Sequence, residues 1–206
     1  MNKALVTAAA ALSGLFVCLP ATAGFVGFAG PDAPANWTTT TTGSVFGGNN
    51  GNVNTTGAPS SIAITGGDDP SDTSDSPGNG CTTTAGGPVA GVPGNCEISF
   101  TISGQPANFL FNWTYSTNDI TPQYDQFGVI VNGAMTELIA NAGPLVQSGS
   151  FAVIGASRFG WYINCTDCEG GTASATISNL RVPEPATLAL LGFGLGMLQL
   201  RRRAGA

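Results

Sequence analysis

The chain contains no histidine. That absence removes the Ser-His-Asp triad, the Cys-His pair and the zincin helix together, because each needs an imidazole to move a proton or hold a metal near neutral pH. Basic residues are almost as scarce: there are six Lys and Arg in 206 residues, and only Arg158 and Arg181 lie between residues 24 and 181. Against eleven acids in the same span, they leave a formal charge of −9. Such a body is repelled by nucleic acid and by anionic lipid, and it meets a polyanionic polysaccharide only through a bridging cation. Also missing between Gly24 and Arg181 is any apolar stripe of helical period with caps.

What is present reads as strands. Thr, Ser, Gly and Asn dominate, and two-residue alternation recurs. Phe109, Phe111, Trp113 and Tyr115 share one face, with Leu110, Asn112, Thr114 and Ser116 on the other. Ile98, Phe100 and Ile102 alternate with polar residues just before, and Gly104-Gln105-Pro106 between the two runs predicts a turn joining them as an antiparallel hairpin. Asn132-Gly133 predicts a second hairpin, linking Phe127–Val131 to Met135–Ile139. Separate strands are expected at Phe151–Ile154, Phe159–Ile163 and Ala173–Ile177, weaker ones at Asn36–Thr41 and Ser61–Thr65, and a Gly/Asn-rich connection at Gly47–Gly57. About 158 residues suffice for one domain with a sizeable core. The expectation is an all-β fold, a single antiparallel β-sandwich or jelly-roll-like domain over residues 24–181.

Long apolar runs occur only at the ends. Met1-Asn2-Lys3, the apolar run Ala4–Leu19 and Ala21-Thr22-Ala23 form a secretory signal peptide, with cleavage expected before Gly24. At the other end, Val182-Pro183-Glu184-Pro185 precede an uncharged Ala186–Leu200 run and Arg201, Arg202 and Arg203. The prolines keep the segment extended and remove backbone donors. A helix over 186–200 would span roughly 22 Å, short beside a hydrocarbon core of about 30 Å, and the arginines place its end in the cytoplasm.

This tail resembles the PEP-CTERM sorting signal of Gram-negative bacteria that make extracellular polysaccharide, and residues 182–206 present its three elements in order. The resemblance implies recognition of Pro183-Glu184-Pro185 by an exosortase, a membrane-embedded cysteine transpeptidase-like enzyme that removes the helix after Sec export and signal-peptidase cleavage. The same tail is also known as the C-terminal domain of ice-binding proteins. Bodies of several such proteins look similar to this one in their Asn-Trp-Thr-Tyr strand, here Asn112–Tyr115, and that likeness implies a fold rather than an activity.

Four cysteines survive signal removal, an even number for an oxidising compartment. Cys81 and Cys96 bracket a Gly/Thr/Pro-rich loop and are expected to pair, closing about 15 residues for roughly 3 kcal/mol. Cys165 and Cys168 are expected to clamp a tight turn; no helix follows them, which argues against thioredoxin-like chemistry. Asp119, Asp125 and Glu137 are the carboxylates a glycan hydrolase would need, although each reads as a solvated acid at a strand end or turn. Asp68, Asp69, Asp72 and Asp75, in the loop from Gly66 to Gly80, are the candidate calcium ligands, and no other cofactor is implied. Trp37, Trp161 and Tyr162 are the aromatic side chains offered for stacking on sugar rings. The leading expectation is an exported, non-enzymatic surface or matrix protein associated with exopolysaccharide. The alternatives are a hydrolase using paired carboxylates and ice adhesion through Thr38–Thr42.

Overall fold

Period-two patterning is realised as antiparallel strands throughout the described residues, which in this computed structural model are 27–45, 49–68, 81–82, 96–166, 168 and 170–181. The expected signal peptide with Ala21, Ala23 and Gly24, the loop carboxylates Asp69, Asp72 and Asp75, and the tail from Val182 to Arg203 lie outside them. In chain order the strands are β1 (Thr38–Thr42), β2 (Ser44–Val45), β3 (Asn52–Asn54), β4 (Ser61–Thr65), β5 (Cys81–Thr82), β6 (Cys96–Thr117), β7 (Asp125–Val131), β8 (Ala134–Glu137), β9 (Val146–Cys165) and β10 (Ala173–Arg181). Among the described residues the helical elements are short 3₁₀ turns, and no helix is long and apolar enough to cross a membrane. β3 lies inside the expected Gly47–Gly57 connection, where three residues suffice to add an edge to β4.

Two strands of unusual length organise the rest. The expected hairpin about Gly104-Gln105-Pro106 does not form; both apolar runs belong to the 22-residue β6, and the runs expected at Phe151–Ile154 and Phe159–Ile163 belong to the 20-residue β9. β6 and β9 pair along their whole length, from Cys96 opposite Cys165 to Ser116 opposite Val146. The register shifts between Ser103 and Phe109, where Gly104 (φ 113°) faces a β9 segment containing Gly155 (φ 69°). Turn residues here make a bulged corner instead of a reversal, because a partner strand with its own glycine bends alongside.

The corner carries the pair from one layer to the next. Residues 96–103 and 156–165 sit in a layer ordered β1-β6-β9-β7-β8, and residues 109–117 and 146–153 sit in one ordered β3-β4-β10-β6-β9. The result is a nearly closed, jelly-roll-like antiparallel sheet folded on itself. Asn132 (φ 53°) and Gly133 (φ 88°) turn β7 into β8 as expected.

Between the layers lies an aromatic core. Phe109, Phe111, Trp113 and Tyr115 all point inward, as their alternation predicts. Trp113 and Tyr115 meet Phe127 of the opposite layer at ring-centroid distances of 5.6 and 6.2 Å. Phe111 meets Trp161 edge-on at 5.3 Å. Each such side chain contributes about 1.5–3 kcal/mol through the apolar area it removes from water. A smaller cluster of Val45, Cys96, Cys165 and Cys168 closes one end, where β2 pairs with β5 and sets Val45 opposite Cys81.

Candidate functional site

Several residues proposed from sequence turn out to be structural. Trp37 and Trp161 do not form an exposed rim: Trp37 is sandwiched between Phe100 and Trp161, at 5.1 and 5.0 Å with nearly parallel rings, and both tryptophans are buried. Tyr162 points to the opposite face of β9, where it too is buried, its ring packed over Gly128. Burial first, then the charges of Glu137 and Glu97, push its hydroxyl up to about 12.

The three hydrolase candidates lie around one group: after burial, the charges of Asp125, Asp119 and Glu137 all raise the Tyr115 hydroxyl. Asp119 and Asp125 are not solvated acids; they are 2% and 1% exposed. Thr117 Oγ1 donates to Asp125 Oδ2 at 2.6 Å and accepts from the Asp119 amide at 3.0 Å, while Tyr115 donates its hydroxyl to the Asp125 carbonyl at 2.7 Å. Both acids thus tie the 117–125 connection to the end of the core. Glu137 ends β8 across from Gly128 and accepts from Asn141 Nδ2 at 3.3 Å; burial raises its carboxyl, and the Asn141 bond opposes that shift.

Cys165 and Cys168 form a disulfide, with Cα atoms 5.0 Å apart. Cys96 is also disulfide-bonded, and the side chain of its expected partner Cys81 lies outside the described residues. Asp68 is held to Asn49 by reciprocal backbone hydrogen bonds of 3.1 and 3.2 Å, and the glycines before it pack against Ile163 and Val45, so the acidic loop begins as ordered structure. The five threonines of β1 are all exposed, but strand alternation divides them between two faces, so they do not make one flat row.

A cavity of about 300 Å³ lies where the β6 and β9 corner meets the segment before β1. Ile102, Phe109, Ala156 and Phe159 form its apolar walls, with Phe109 and Phe159 stacked at 4.5 Å. Two 3₁₀ turns, Gly30–Asp32 and Pro34–Asn36, each with a proline in its first two positions, make the remaining side. Asn36 locks them by donating Nδ2 to the carbonyls of Pro31 and Gly30 at 2.9 and 3.2 Å. Trp37 anchors them by donating Nε1 to the Asp32 carbonyl at 2.9 Å. Across the mouth, Asn132 Oδ1 accepts from the amide and hydroxyl of Ser157 at 2.8 and 2.9 Å, fixing that rim to the β7 to β8 turn.

Asp32 is the side chain that sets the chemistry. It is 8% exposed, it lines the cavity, and its carboxylate has no hydrogen-bond or ionic partner among the described residues. Burial accordingly raises its carboxyl above the ordinary 3.8. Sequence reasoning passed over Asp32; the available signal was a lone acid set between two prolines, directly ahead of an aromatic anchor.

No curated protein matches the chain. Among solved structures, the enzymatically active domain of the CBA120 bacteriophage tailspike protein 4 aligns at 14% identity and TM-score 0.33, over 76% of this chain and 21% of that one. The Podospora anserina GH26-CBM35 β-(1,4)-mannanase aligns at 17% and 0.28, over 73% and 28%. The N-terminal cellulose-binding domain of Cellulomonas fimi β-1,4-glucanase C aligns at 10% and 0.31, over 79% and 93%. Scores this low leave function to be argued from the chain itself. The tail is different: residues 181–203 match the family model of the PEP-CTERM protein-sorting motif, so the chain carries a PEP-CTERM sorting signal, which marks an exported protein for recognition by an exosortase.

Proposed function

We propose that the chain is an exported, non-enzymatic surface or extracellular-matrix protein that an exosortase sorts into an exopolysaccharide layer. The observation that carries the reading is the sorting motif at 181–203, placed directly after β10, the last strand of a jelly-roll-like body. In this account the Sec machinery and signal peptidase deliver the body and remove residues through Ala23. The 186–200 segment tethers it briefly in the membrane. Exosortase then recognises Pro183-Glu184-Pro185, whose two prolines lack amide donors. A body of charge −9 has no tendency to settle on anionic lipid once released.

The non-enzymatic part is supported by the use made of the acids. The Asp125 carboxylate is occupied by the Thr117 hydroxyl and that of Asp119 by the Ile120 amide, and neither acid lines the corner cavity. That cavity offers one carboxylate, whereas glycoside hydrolysis by an acid and a nucleophile or base needs two facing a shared bond.

Replacing Pro183, Glu184 and Pro185 together by alanine tests the sorting step. In a host with its exosortase, the variant is expected to accumulate uncut in the membrane fraction while the wild-type body leaves it, as read by immunoblot of fractionated cells. Equal release of both proteins would contradict the reading.

A further inference from the structure

A carboxylate without a protein partner among the described residues, on a residue only 8% exposed, is an expensive group to keep. An asparagine would fill the same space without the desolvation cost, and the fold uses Asp32 through its backbone, whose amide donates to the Ala29 carbonyl and whose carbonyl accepts from Trp37. The side chain is instead presented to a cavity of about 300 Å³, the lower end of the range for small-molecule sites, with room for about one sugar-sized ring. Around it the unused hydrogen-bonding capacity is mostly acceptor. Asn36 has committed its amide hydrogens to Gly30 and Pro31, leaving its oxygen, and Ser157 has committed its proton to Asn132. Opposite these acceptors stand Ile102, Ala156 and the Phe109 and Phe159 pair.

A ligand that satisfies this arrangement carries several donors on one side and a C–H face on the other. We propose that the corner cavity binds a single neutral pyranose ring, with Asp32 accepting from ring hydroxyls and the apolar wall taking the C–H face. An anionic sugar would face Asp32 within a body of charge −9, with no basic residue in the lining. A hard divalent cation needs six or more oxygens, more than one carboxylate and its neighbours gather. A purely apolar ligand would strand the carboxylate in a dry site. The proposal deepens the exopolysaccharide reading and rests on it only for where such sugars are met.

The test uses the full chain in a zwitterionic detergent, since alkyl glycoside detergents would compete. The probes are the methyl glycosides of glucose, galactose and mannose, with glucosamine and glucuronic acid as charged comparisons, followed by titration calorimetry and saturation-transfer NMR. At least one neutral glycoside is expected to bind. Asp32→Asn should weaken it at least about tenfold, the loss expected for hydrogen bonds to a charged acceptor. Ser103→Phe, at an exposed position on the rim, should block it with the thermal midpoint unchanged. Absence of neutral-glycoside binding to the wild type, binding untouched by both substitutions, or a response to glucosamine alone would each overturn the proposal. Such a failure leaves the sorting reading standing if the secreted body has lost its tail, and retention of the tail would sink that reading whatever the sugars do.

Discussion

Burial holds the Asp32 carboxyl above its ordinary 3.8, and no described group offsets the shift. The folded state therefore binds a proton more readily than the unfolded chain does. Stability from this group is fully present below the ordinary value and is lost as pH rises through the raised one. Asp32→Asn removes that loss, so at neutral pH the ligand-free variant should melt at a higher temperature than the wild type. Below the ordinary carboxyl range the two proteins should melt together. Thermal unfolding followed by circular dichroism between pH 3 and 8 checks both halves, and a variant less stable than wild type at pH 7 would show that Asp32 has a favourable partner. Residues of this kind are poorly legible in sequence. Alternation told that Trp113 and Tyr115 face inward, but it could not tell that Trp37, outside any strand, inserts between Phe100 and Trp161. Nor could it tell that Asp119 and Asp125, in turn-like surroundings, lie beneath the surface with Thr117 between them.

Strand identity was readable because one buried face imposes a period of two; strand connection was not. Ser61–Thr65 and the Asn132-Gly133 reversal are found where the pattern puts them. Gly104-Gln105-Pro106 failed as a turn because the same residue types serve a bulge when a second long strand runs beside them, and that partner, β9, lies about 50 residues away in the chain. The Asp32 cavity exists only because of that corner, so the site was hidden by the same misreading. Close strand packing beside the corner is itself testable. A Cβ at Gly160 would strike the carbonyl oxygen of Phe100 and come within 2.6 Å of Thr101 Cγ2. Gly160→Val should cost about 3 kcal/mol in urea unfolding, whereas Gly155→Ala, which meets no atom within 4 Å, should cost only the ~1 kcal/mol of its left-handed backbone. Equal costs would mean that the β6 and β9 pairing at Gly160 is looser than described.

At the scale of the whole molecule, charge and hydropathy are segregated along the chain. Four of the six basic residues lie within the first 23 and last 25 residues, while the span between carries −9. That division makes export and sorting legible from sequence alone, since membrane orientation reads flanking charge and not fold. The body was less legible because a jelly-roll-like sheet supports many functions, and what this one adds is a cavity at a bend with Asp32 in its lining. The tail, on this reading, is an address to be removed. Intact mass spectrometry of the mature protein, recovered from a host that has its exosortase, tests it most directly. The prediction is a species beginning at Gly24 and lacking Ala186–Ala206; a mature species that still carries those residues would contradict it.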